Sequence, residues 1–165
     1  MRSILILLSL LLRKRLHLHQ QVSHINVVHI ASCQFGQVCR IDNGVSPNCI
    51  QINDCHEVSL STKVVGTWVD GSRGNKRFTQ YDITITNNLN TNIIKQIYIA
   101  TDYTLRLRDH SNNSIWNVNL LPNVGILTLP SYQPSINAHM VASFTFGFII
   151  EGTQPANLNV LSVSF

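Results

Sequence analysis

Residues 78–86 read FTQYDITIT, and apolar and polar side chains take turns along them. Tyr81, Ile83 and Ile85 fall on one side of an extended chain, and Gln80, Asp82, Thr84 and Thr86 fall on the other. A period of two, rich in β-branched residues, is the pattern of a strand with one face buried and one face wet. Residues 143–150, SFTFGFII, repeat it with larger side chains, so that Phe144, Phe146, Phe148 and Ile150 share a face. Shorter strand signals are KVVGTWV (63–69), IIKQIYIA (93–100), TLRLR (104–108), IWNVNL (115–120), GILTLP (125–130) and NLNVLSVSF (157–165). Polar turns such as NNLNTN and DHSNNS separate them. GSRGNKR (71–77) links two strands as a hairpin loop rather than opening a helix. About eight short strands with no long helical period predict an all-β fold, an antiparallel β-sandwich over residues 63–165.

Two segments precede that domain. Residues 1–32 have the outline of a secretory leader: Arg2, then the apolar run ILILLSLLL at 4–12, too short to cross a bilayer as a helix. Arg13-Lys14-Arg15 interrupts the leader where small residues are expected. The interruption reads as an insertion foreign to the leader, such as a retained intron. INVVHIA (25–31) would then complete the leader, with cleavage near Ala31 or Ser32. Residues 33–56 hold all four cysteines, Cys33, Cys39, Cys49 and Cys55. An even cluster behind a leader predicts two disulfides closing a small cystine-rich segment, with three pairings open. The C-x5-C-x9-C-x5-C spacing lacks the close pairs of a zinc site, so no metal is expected.

Charge narrows the partners. Only 12% of residues are charged, about half the usual share. Arg2, Arg13, Lys14 and Arg15 account for the whole net charge of +4, and the rest of the chain is balanced. No basic stripe remains for nucleic acid, and without its leader the chain offers a membrane nothing to hold. Extracellular residence, in a matrix or cell wall, follows from the leader and the cysteines. Asn112-Asn113-Ser114 is a glycosylation sequon in a predicted turn.

Signs of catalysis are missing. There are eight carboxylates in all, and Asp70, Asp82, Asp102 and Asp109 read as turn or solvated residues. No phosphate loop, nucleophile elbow or Cys-His signature occurs. No enzyme activity and no cofactor are expected.

The aromatics carry the functional signal. Tyr132 lies between Pro130 and Pro134 in TLPSYQPS, a rigid segment that belongs at the surface. An exposed ring held stiffly suits stacking on the C–H face of a sugar, with Asn, Gln and Ser bonding the hydroxyls. Trp68 stands before the Asp70-Gly71 turn. Trp116 shares parity with Val118 and Leu120, which favours burial, yet it opens a strand beside a polar turn. Tyr81 shares its face with Ile83 and Ile85 and so belongs to the core or its edge.

From about residue 64 to residue 163 the chain resembles carbohydrate-binding module family 49, a cellulose-binding domain of plant family 9 endoglucanases and of secreted cellulose-associated proteins. The matching elements, in order, are TW ending at Trp68, QYDITITNN, IIKQIYI, SIWNV, LTLPSY and FTFGFIIEG. The resemblance implies a sandwich that binds cellulose through Trp68, Tyr81, Trp116 and Tyr132. Plant members often carry Trp where this chain has Tyr132, and the smaller ring stacks less area. A secreted, non-catalytic cellulose-binding protein is the reading that results, and the cystine segment offers a surface for a second, protein partner. The alternative is a small cystine-stabilised protein-binding module, an adhesion or inhibitor domain.

Overall fold

The computed structural model describes residues 33–34, 37–42, 48–110, 112–139 and 142–165; the leader expected over 1–32 lies outside them. The described residues form ten strands and no α-helix: β1 (Gln37–Ile41), β2 (Asn48–Gln51), β3 (Val58–Asp70), β4 (Lys76–Asn87), β5 (Gln96–Thr101), β6 (Ile115–Trp116), β7 (Asn119–Leu121), β8 (Ile126–Thr128), β9 (Ala142–Glu151) and β10 (Leu158–Ser164). They make two sheets. Sheet A runs β2-β1-β10-β5-β8-β7, and sheet B runs β3-β4-β9-β6.

The two alternating segments sit side by side at the centre of sheet B. β4 and β9 pair antiparallel in unbroken register from Phe78↔Glu151 to Asn87↔Ala142. Cross-strand partners point to the same face. Tyr81, Ile83 and Ile85 therefore join Phe146, Phe148 and Ile150 on the inner face, all but sealed from water. Ile97, Ile99, Leu127, Val160 and Val163 of sheet A meet them in one core cluster. Burying each phenylalanine contributes about 1.5–3 kcal/mol. Asn87, at the end of β4, is also fully buried. Its amide donates to Asn92 O (2.8 Å) and Asn137 O (3.0 Å), and its carbonyl accepts from Leu89 N–H (3.0 Å). These bonds satisfy the polar turn that follows the strand.

Two sequence segments end differently from their expected form. IWNVNL is not one strand. Asn117 takes a left-handed φ of 58°, and the chain passes from β6 in sheet B to β7 in sheet A. TLRLR forms only an isolated bridge, Leu107↔Ile150, beside β9. The cysteine-bearing segment is built into sheet A: β1 pairs in parallel with β10, Cys39↔Ser162 to Ile41↔Ser164.

One of the two expected disulfides is present, Cys33–Cys49. Cys39 and Cys55 carry thiols instead. Cys39 lies inside sheet A, directly across from Cys49, and Ser162 hydrogen-bonds its side chain. Cys55 follows the turn after β2 and packs against the core cluster. Burial pushes both thiols up, which favours their protonated form.

Candidate functional site

The outer face of sheet B collects the two tryptophans. Trp68 on β3 stands opposite Phe78 on β4, and Phe78 stands opposite Glu151 on β9. Four residues back along β9, on the same face, is Gly147, and opposite it is Trp116 on β6. The indoles thus share one face and lie at its two edges. Three strand spacings across and four residues along put them roughly 19 Å apart. Between them lie Gln80 and Asp82 of β4 and Ile149 of β9, and Thr84 and Thr145 continue the face beyond Trp116. The Thr84 and Thr145 hydroxyls are bonded to each other at 2.9 Å.

Each indole is held by a specific neighbour. A Cβ on Gly147 would lie 2.4 Å from Trp116 Cζ2 and 2.6 Å from its Cε2. The ring therefore rests directly on the bare backbone of β9, a seat only glycine leaves open. At the other edge Trp68 leans on Phe78, with ring centroids 6.3 Å apart at 38°. Phe78 has outward parity yet is buried, because Trp68 covers one side and the Arg108 guanidinium lies 5.3 Å from its centroid. Arg108 in turn donates to Asp70 Oδ2 at 2.8 Å, and Arg73 pairs with Asp109 at 2.6 Å. The hairpin tip beyond Trp68 is tied down by this network. The Ser72 hydroxyl, with its backbone N–H, holds the Asp70 carboxyl below its ordinary value. The Ser114 hydroxyl does the same first for Asp109, aided by Arg73 and Arg108.

Tyr132 joins the Trp116 edge. It is 67% exposed, on a turn closed by Gln133 N–H donating to Pro130 O at 2.9 Å. Its hydroxyl donates to Asn117 Oδ1 at 2.8 Å, one residue from Trp116. Both ends of the ring's lever are fixed, so its orientation is set before any ligand arrives.

Tyr81 does not belong to this surface. It is 1% exposed, on the inner face of β4, and its hydroxyl donates to Thr153 O at 2.5 Å. Its ring packs 5.9 Å from Phe148. Strand parity, not the family resemblance, gives its position. Of the four aromatics anticipated, the structure brings Trp68, Trp116 and Tyr132 to one surface and keeps Tyr81 in the core. Gly147, Phe78, Arg108 and Asn117 complete the surface and were not singled out from sequence; they act through partners distant in the chain. Asn112 of the sequon is exposed in the turn Asn112–Ser114.

The sequence profile of the carbohydrate binding domain CBM49 matches residues 58–152, from the start of β3 to the end of β9. The chain belongs to the CBM49 family. The match spans sheet B and both tryptophan edges, so this is a carbohydrate-binding chain with a polysaccharide partner. Two relatives from Dictyostelium discoideum match end to end over 165 residues, covering all of both chains: stalk-specific protein B, 85% identical, and stalk-specific protein A, 84% identical. Among solved structures, chitinase ChiA74 from Bacillus thuringiensis aligns with 61% of this chain and 15% of its own, at 19% identity and a TM-score of 0.42.

Proposed function

We propose that the protein is a secreted, non-catalytic cellulose-binding component of an extracellular matrix or wall, and that the outer face of sheet B is its binding surface. One observation carries this: Trp68 and Trp116 lie on the same open face, with Tyr132 extending one edge. A broad face with separated rings suits successive glucose units of an ordered β-glucan surface, the polar side chains between them meeting hydroxyls. The names of the Dictyostelium relatives, stalk-specific proteins A and B, fit a structural role in a stalk.

The carboxylates support a non-catalytic role. A glycosidase acid must keep its proton near neutral pH. Asp70 and Asp109 share Arg73, and both carboxyls are shifted the opposite way. Asp82 and Glu151 lie four residues along and one strand across from each other, their backbones about 14 Å apart, and Glu151 is paired with Lys76 at 2.9 Å. Use of the Asn112 sequon belongs to the same proposal. The alternative, a protein-binding module, draws on Val64, Val65 and Val69, which lie exposed along the edge strand β3.

The test is co-sedimentation of the full chain with insoluble cellulose, xylan and chitin. Retention on cellulose above the other two supports the proposal. Equal retention on all three would remove the cellulose preference, and retention on none would bring the protein-binding alternative forward.

A further inference from the structure

Tyr103 is 86% exposed, more than Tyr132, and it lies off the sheet B surface, in the link that leaves β5. The residues on either side of it are pinned. Asp102 Oδ1 accepts from the Thr104 N–H (2.8 Å) and the Thr104 hydroxyl, and Asp102 O accepts from the Leu105 N–H (3.1 Å). Asn157, arriving from the link between β9 and β10, donates its side-chain amide to Asp102 Oδ2 (3.0 Å) and its backbone N–H to Thr104 Oγ1 (2.7 Å). Two distant links thus lock one turn whose apex is an aromatic ring in water. A ring presented this way loses little conformational freedom on binding.

Beside the turn, a groove of about 560 Å³ runs over the paired ends of β5 and β10, lined among others by Ala100, Asp102, Ala156, Asn157 and Asn159. Its volume falls in the range of small-ligand sites. No lysine or arginine lines it, which disfavours an anion. Both oxygens of its one carboxylate are already engaged within the turn. The Thr104 hydroxyl, then Asn157, hold Asp102 below the usual carboxylate range, so the turn keeps its bonding across the neutral range. Asn159 is exposed and offers an amide donor and acceptor. Tyr103 follows Asp102 and stands outside the groove's lining; its exposed ring beside the open amide of Asn159 suits the C–H face and hydroxyls of a neutral sugar.

We propose that Tyr103 and the groove between the ends of β5 and β10 form a second saccharide site, one that takes a single loose glycan chain where the sheet B face takes an ordered surface. The proposal rests on the carbohydrate-binding reading above. Two sites at different parts of the sandwich let one molecule hold a wall surface and a free strand together, and linked sites raise retention beyond either alone.

The experiment is an amide-resolved NMR titration of the full chain with cellohexaose, run beside cellulose sedimentation of the same samples. Saturating shifts are expected at 102–104 and 157–159. The dissociation constant should rise about tenfold in Tyr103→Ala, stay at or below the parent value in Tyr103→Trp, and be unchanged at this turn in Trp116→Ala. Tyr103 is exposed, so both of its variants should fold like the parent, and the thermal midpoint checks all three proteins. Sedimentation without shifts at the turn, or a Tyr103→Ala protein that titrates like the parent, would overturn the second site and leave the sheet B surface standing. Shifts at the turn without sedimentation would do the reverse, and the absence of both would sink both.

Discussion

Gly147 and Tyr81 carry opposite lessons. Gly147 contributes no side chain, yet the Trp116 indole rests where its Cβ would be. Gly147→Ala should tilt or lift the ring. The expected outcome is a fold with a nearly unchanged melt and cellulose retention reduced toward that of Trp116→Ala, read by sedimentation. The resemblance counted Tyr81 among the binding residues, but it sits in the core. Tyr81→Phe should lower stability by roughly 0.5–1.5 kcal/mol, because Thr153 O loses its donor, and leave glycan retention unchanged; a urea melt and a sedimentation assay separate the two effects. Tyr81 was legible from alternation alone, since Tyr81, Ile83 and Ile85 repeat at every second position. Gly147 was not, because its role depends on a cross-strand neighbour about thirty residues away in sequence.

At the scale of elements, the long strands were legible and the breaks were not. FTQYDITIT and SFTFGFII became β4 and β9, with the anticipated faces inside. IWNVNL looked like one strand because its residues suit one. The left-handed turn at Asn117, a conformation asparagine tolerates better than most residues, sends its halves to different sheets and resets the parity that had argued for burial of Trp116. The parallel pairing of β1 with β10 joins residues more than a hundred positions apart, and no local signal encodes it. This pairing has a consequence for truncation. A chain beginning at residue 57 would strip β10 of its edge partner and remove the buried Val38; a loss of roughly 3 kcal/mol or more is expected in urea denaturation. The hairpin tip beyond Trp68 responds to acid. Asp70 and Asp109 have lowered values in the folded chain, so their contribution is present above the unfolded carboxylate value and disappears as pH falls through the folded one. The thermal midpoint should be level from neutral to about pH 4 and fall below it. Asp70→Asn should lower the midpoint at neutral pH and flatten the acid limb.

Across the whole molecule, the sandwich divides its labour between faces. The inner faces of both sheets make one core, and that leaves the outer face of sheet B free to be broad, polar and edged with aromatic rings. Burial of Phe78 under Trp68 and Arg108 and the seating of Trp116 on Gly147 make this face firm. The composition anticipated this surface only as a shortage of charge; the placement of the tryptophans at opposite edges follows from register. The most direct measurement is a cellulose binding isotherm of the full chain beside Trp68→Ala, Trp116→Ala and the double variant, each with its thermal melt. The expected result is an affinity about tenfold weaker in each single variant and weaker again in the double one, with all four proteins folded. A folded Trp68→Ala protein that binds like the parent would contradict the claim that the two edges serve one surface.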